Sequence, residues 1–195
     1  MSLSFSFGKP PENPLLSSEA GWSRVLGYDD GMPATLRALA IGLTFATSLA
    51  IAWSSFVPDG LPFEARPEFS SVLLVFFIAT VLHELCHLVM FPSFGLRHSI
   101  VGVWPQMGAV FAQYLLPIKR NRFIVATLAP ALIICGLPLM LGIFGFALPA
   151  FLKWATVVNG VAVGADLLAV AMLFRHGTAK DLILDSGHAL YRREA

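Results

Sequence analysis

The chain is 195 residues long, 56% hydrophobic and only 13% charged, with a formal net charge of +1. A water-soluble domain carries roughly a quarter charged residues, so this composition excludes an ordinary soluble globule and points to an integral membrane protein. The near-neutral balance, with no basic tract beyond the short Lys119, Arg120, Arg122 group, excludes a nucleic-acid partner.

Residues 1–34 carry both signs of charge and several prolines, without the basic start and apolar core of a secretory signal peptide. They are predicted to be a retained cytoplasmic arm. Four apolar runs follow, at residues 35–57, 69–91, 123–148 and 149–174, each near or above the roughly 20 residues that cross a bilayer as a helix. Pro149 cannot continue a helix and separates the third run from the fourth. Residues 35–174 are thus predicted to be a four-helix membrane domain, and residues 175–195 a cytoplasmic tail. Cys86 and Cys135 fall inside apolar runs and read as small buried side chains, with no disulfide implied.

Between the second and third runs, residues 99–104 and 109–116 are rich in Val, Ile, Phe, Tyr and Leu and flank Pro105-Gln106-Met107-Gly108. This reads as two strands joined by a turn. The predicted fold class is therefore all-α integral membrane: four transmembrane helices with a short membrane-associated β-hairpin between helices two and three. The connection at residues 58–68 carries Asp59, Glu64 and Glu68 against Arg66, whereas Arg97, Lys119, Arg120 and Arg122 follow the second run and Arg175, Lys180, Arg192 and Arg193 follow the fourth. By the positive-inside rule both termini are expected in the cytoplasm. The expected location is a bacterial cytoplasmic membrane.

His83, Glu84 and His87 form an H-E-x-x-H motif inside the second run. Two histidines four residues apart project from one face of a helix and suit two ligands of a tetrahedral Zn²⁺, while the adjacent glutamate can take a proton from an attacking water. An ionisable cluster at membrane depth is costly, which makes it a functional candidate. Catalytic zinc usually takes a third protein ligand. The long metzincin form would need Gly and His at positions held by Met90 and Ser93, and the only glutamate after Glu84 is Glu194 in the tail. Asp166 is the only aspartate within a later span. It lies eight residues, roughly 12 Å at helical rise, before the end of the fourth run, about the depth at which His83 precedes Phe91.

Asn159 lies seven residues before Asp166, on the same helical stripe. It could orient substrate or donate to a developing oxyanion, or make an interhelical hydrogen bond. Gly160, Ala162, Gly164 and Ala165 between them allow close approach of another helix, and the face bearing Asn159 and Asp166 is expected to pack on the H-E-x-x-H face. His98, His176 and His188 lie in polar segments and are not favoured as ligands, and Asp181 and Asp185 read as part of a solvated tail or a cover over the site.

An H-E-x-x-H helix followed by an asparagine and an aspartate on a helix rich in small residues resembles the layout of site-2 intramembrane proteases. Over about residues 70–175 the chain resembles more particularly a family of zincin membrane metallopeptidases defined only as a domain of unknown function. The resemblance implies His83, His87 and Asp166 as zinc ligands and Glu84 as catalytic base. In the site-2 pattern a glycine follows the aspartate and a proline the asparagine, whereas here Leu167 follows Asp166 and Gly160 follows Asn159.

The expected activity is zinc-dependent hydrolysis of peptide bonds at or just inside the cytoplasmic leaflet, acting on a membrane protein or peptide held at the lipid bilayer. Two other classes compete: a metal-binding membrane transporter, which would generally need more spans built as repeats, and a catalytically inactive membrane scaffold. Glu84 separates them, because an enzyme needs it for turnover and a carrier does not. Substrate identity and oligomeric state are not encoded in any motif.

Overall fold

A computed structural model describes residues 2–27, 32–61 and 69–194. The acidic residues Glu64 and Glu68 and the cation Arg66, on which part of the topology argument rests, lie outside the described residues. Among the described residues four helices are long and apolar enough to cross a membrane, at Pro33–Phe56, Leu73–Met90, Arg120–Ile143 and Ala150–His176, close to the expected runs.

The fold is not all-α. Among the described residues, seven strands form two sheets, so the class is mixed α/β. In chain order the elements are β1 (Ser4–Phe7), a one-turn helix α1 (Leu15–Ser18), β2 (Ser23–Gly27), α2 (Met32–Phe56), α3 (Phe69–Met90), β3 (Ser99–Trp104), β4 (Ala109–Tyr114), β5 (Ile118–Lys119), α4 (Arg120–Pro130), α5 (Leu137–Ile143), α6 (Ala150–His176), β6 (Leu182–Asp185) and β7 (Ala189–Arg193). A π-helical stretch, Ala131–Gly136, joins α4 to α5 in one continuous span.

The expected hairpin is present, with Ser99 opposite Tyr114 and Trp104 opposite Ala109. Its turn closes through Gly108 at φ 59°, a left-handed conformation that glycine adopts without steric cost. The additional strands come from the two termini. β1 joins the hairpin in parallel alongside β3, giving the order β1-β3-β4. The second sheet has the order β2-β7-β6-β5, antiparallel throughout, and couples the arm before α2 to the tail after α6.

Among the described residues every strand precedes α2, follows α6, or lies between α3 and α4, so both sheets gather at one end of the helical bundle. Buried amides tie them together. Asn13 Nδ2 donates to the carbonyls of Leu115 and Asp185, and Gln113 Nε2 donates to those of Pro11 and Asp185. These bonds satisfy the carbonyls of two loop residues, Pro11 and Leu115, and of Asp185 at the end of β6.

The helices sort by surface. On α3, Leu73, Leu74, Phe76, Phe77, Ile78, Leu82, Leu85 and Val89 are exposed, the outward apolar shell expected of a helix facing lipid. On α6 the small residues Gly160 and Gly164 serve α2, not α3. A Cβ at Gly164 would lie 2.1 Å from the Ala38 carbonyl oxygen, and one at Gly42 would lie 2.1 Å from that of Val161. Backbone-to-backbone approach of α2 and α6 therefore requires glycine at both places. The stripe of α6 bearing Asn159 and Asp166 turns instead toward α3.

Candidate metal centre

α3 has neither glycine nor proline from Phe69 to Met90, so its turn is regular and carries His83 and His87 one above the other on a single face. Their rings meet edge to face, 4.8 Å between centroids. The His83 and His87 Nε2 atoms are 3.1 Å apart. The Asp166 carboxylate reaches both across the interhelical gap, with Oδ2 3.2 Å from His83 Nε2 and Oδ1 3.4 Å from His87 Nε2. The histidine pair and the aspartate expected at the same depth are thus brought together.

The other side of each imidazole fixes its tautomer. His87 Nδ1 lies 2.9 Å from the Ala126 carbonyl oxygen, which can only accept, so this nitrogen carries the proton. His83 Nδ1 lies 2.9 Å from Asn159 Oδ1, while Asn159 Nδ2 donates to the Pro130 carbonyl at 3.4 Å and to Cys135 Sγ at 3.2 Å. The Pro130 carbonyl obliges the amide to turn its NH₂ that way, so Oδ1 faces His83 and accepts. With both protons on Nδ1, both Nε2 atoms present lone pairs to the same point as the carboxylate of Asp166. Three electron-rich atoms converge there, and Asp166 Oδ2 is buried without a hydrogen-bond donor.

Such a triangle fits a metal ion. Ligands about 2.0–2.1 Å from a tetrahedral Zn²⁺ stand about 3.3–3.4 Å from one another, beside edges of 3.1, 3.2 and 3.4 Å here. His83, Glu84 and His87 also form a compact group of potential ligand atoms. Glu84 is placed differently from the other three: its Oε2 accepts from the Ala112 N–H of β4 at 2.7 Å. Because β4 pairs only with β3 within its sheet, this N–H belongs to the outer edge of the strand.

A cavity of about 510 Å³ opens against the site. Its walls include Thr35, Phe76 and Thr80 beside His83, Glu84 and His87, the hairpin residues Val110 and Ala112, and Ala165 with Asp166. Asp185, read from sequence as part of a solvated tail or a cover over the site, and His188, read as a surface histidine, line the same cavity. Burial, together with the Glu84 carboxylate nearby, raises Asp185 to about 7, although the Gly187 N–H on Oδ1 opposes the shift. Burial likewise holds the His188 imidazole below its usual range. Their sequence signal was the apolar setting, Leu182–Leu184 and Ala189–Leu190, which buries the polar residues between. Cys86 is half-buried and unpaired by disulfide, whereas His98 and His176 lie away from the cavity wall.

A helical bundle of membrane-spanning length, with an H-E-x-x-H pair and an acidic residue converging on one point, has the layout of a zincin-type site. Residues 76–179 match the model of a family described as "Putative zincin peptidase". The match covers more than half of the chain, which belongs to that family. Comparison with curated proteins and with solved structures finds no match.

Proposed function

We propose that this protein is a zinc-dependent membrane metallopeptidase that cleaves peptide bonds at or just inside the cytoplasmic leaflet. The observation that carries the reading is the triangle of His83 Nε2, His87 Nε2 and an Asp166 carboxylate, three lone-pair donors spaced for one ion. His83, His87 and Asp166 would hold the zinc. When bound, zinc acts as a Lewis acid that makes a water more acidic and polarises the scissile carbonyl.

Each remaining group has a task set by its position. Glu84, fixed by the Ala112 N–H between the ligands and the outer edge of β4, accepts the proton of the attacking water and returns it to the departing amine. The outer β4 edge, unpaired by a strand among the described residues, takes an extended peptide as an added strand beside the Ala112–Glu84 bond, which lays the peptide carbonyls alongside Glu84. That mode of binding suits a membrane segment, whose helical carbonyls must be released before cleavage. Asn159 acts as a positioning residue: both of its donors are engaged away from the cavity, so it orients His83 and does not serve a developing oxyanion.

The strand-rich end of the bundle carries the cations Arg97, Lys119, Arg120, Arg122 and Arg175, which supports a cytoplasmic position for that end and both termini. Glu84→Gln provides the test. Purified protein should lose cleavage of a membrane-peptide substrate by at least a hundredfold yet keep one zinc per chain. Undiminished cleavage by this variant would remove the enzyme assignment, and metal flux without cleavage in reconstituted vesicles would favour a carrier.

A further inference from the structure

In a regular α-helix the carbonyl of residue 126 accepts from the N–H of residue 130. Here residue 130 is proline and has no N–H to give. The helix nevertheless continues through it, with Pro130 at φ −61° and ψ −40°. The next N–H along, that of Ala131, bonds to the Leu128 carbonyl and so does not serve Ala126. Ala126 is 1% exposed, which denies water to the freed oxygen. A buried carbonyl without a donor is costly, and the donor it receives is His87 Nδ1–H at 2.9 Å.

The second histidine depends on the same residue from the other side. The Pro130 carbonyl accepts from Asn159 Nδ2, and that contact turns Asn159 Oδ1 toward His83 Nδ1. Immediately beyond Pro130 the chain widens into the π-helical stretch Ala131–Gly136, a local departure that commonly accompanies functional sites. Cys135 within that stretch supplies the other acceptor of the Asn159 amide.

We propose that Pro130 is the positioning residue for both histidines: by withholding a backbone N–H it frees the Ala126 carbonyl for His87, and with its own carbonyl it aims Asn159 at His83. The inference rests on reading His83 and His87 as metal ligands, and it adds how their tautomers are set from outside the motif.

The test restores the missing N–H. Pro130→Ala and Pro130→Leu both supply it, with side chains of different size, and Pro138→Ala restores an N–H in α5 away from the histidines as a matched control. In full-length protein in detergent micelles, zinc affinity is measured by competition with a chelator. ¹⁵N spectra of histidine-labelled, metal-free protein report the ring tautomers. Both Pro130 variants should bind zinc tenfold or more weakly, within the range that loss of an outer hydrogen bond costs a metal site, and the His87 Nδ1–H signal should shift toward a mixture of tautomers. Pro138→Ala should match the parent in both measurements. Folded Pro130 variants with parental zinc affinity and a parental His87 spectrum overturn the proposal. If the parent itself takes no zinc, the metal reading fails, and the tautomer comparison alone decides the role of Pro130.

Discussion

Asn159→Ala removes the acceptor of a buried proton. In the parent, His83 Nδ1–H is satisfied by Asn159 Oδ1 at 2.9 Å, and His83 and Asn159 are 5% and 2% exposed, so water does not replace the lost oxygen. Two states are then open to the ring. It can keep the proton on Nδ1 and leave a buried donor unpaired, at about 1–3 kcal/mol, or move the proton to Nε2 and surrender the lone pair that would face the metal. Either way the ligating tautomer loses about 1–3 kcal/mol relative to the parent, which converts to roughly a 5- to 150-fold weaker zinc affinity. Chelator competition in micelles measures it directly, with circular dichroism confirming the helices. Zinc affinity within twofold of the parent, in folded protein, would refute the argument that Asn159 sets the His83 tautomer.

Gly164→Ala should destabilise the bundle, because its new Cβ would meet the Ala38 carbonyl oxygen at 2.1 Å and the Gly42 Cα at 2.7 Å, both backbone atoms that cannot rotate aside. A penalty of about 1–3 kcal/mol or more is expected, read as a lower melting temperature in detergent; an unchanged melting temperature would mean that α2 and α6 can part without cost. Asp185→Asn tests the raised carboxyl beside the cavity. Its folded pKa of about 7 exceeds the ordinary value of 3.8, so the group favours folding at low pH and this contribution is lost as pH rises from about 4 to 7. Metal-free parent should therefore lose melting temperature relative to Asp185→Asn over that interval, and a difference independent of pH would contradict the assignment.

What was legible from sequence followed strong local signals. The four spans announced themselves by length and apolarity, and the hairpin by two β-rich runs around Pro105–Gly108. The pairing of Asp166 with His83 and His87 followed from elimination and helical rise, since few acids lay at membrane depth. The rest required contacts between distant parts of the chain. β1, β2, β6 and β7 are each four or five residues long, too short for a clear alternating pattern. Their partners lie far away, as with Ser4 opposite Ile100 and Ser23 opposite Arg192. The termini consequently read as cytoplasmic arm and tail, and the fold as all-α. Gly160 and Gly164 were seen to permit close helix packing and Asn159 and Asp166 were expected to face α3, as they do, but composition could not say that α2, not α3, would fill the gap at the glycines. Pro130 was hidden for a different reason: a proline in an apolar run reads as a kink, and only the neighbouring His87 reveals the use of the carbonyl it releases.

The central claim is that His83, His87 and Asp166 together hold one zinc ion. Zinc content and X-ray absorption at the zinc edge, on parent protein and Asp166→Ala prepared side by side in micelles, address it most directly. The parent should bind one zinc per chain in a shell of nitrogen and oxygen that includes two imidazoles, and Asp166→Ala should lose most of the metal under the same dialysis. A parent that takes up no zinc, or an Asp166→Ala variant with the same occupancy and the same spectrum, would contradict it.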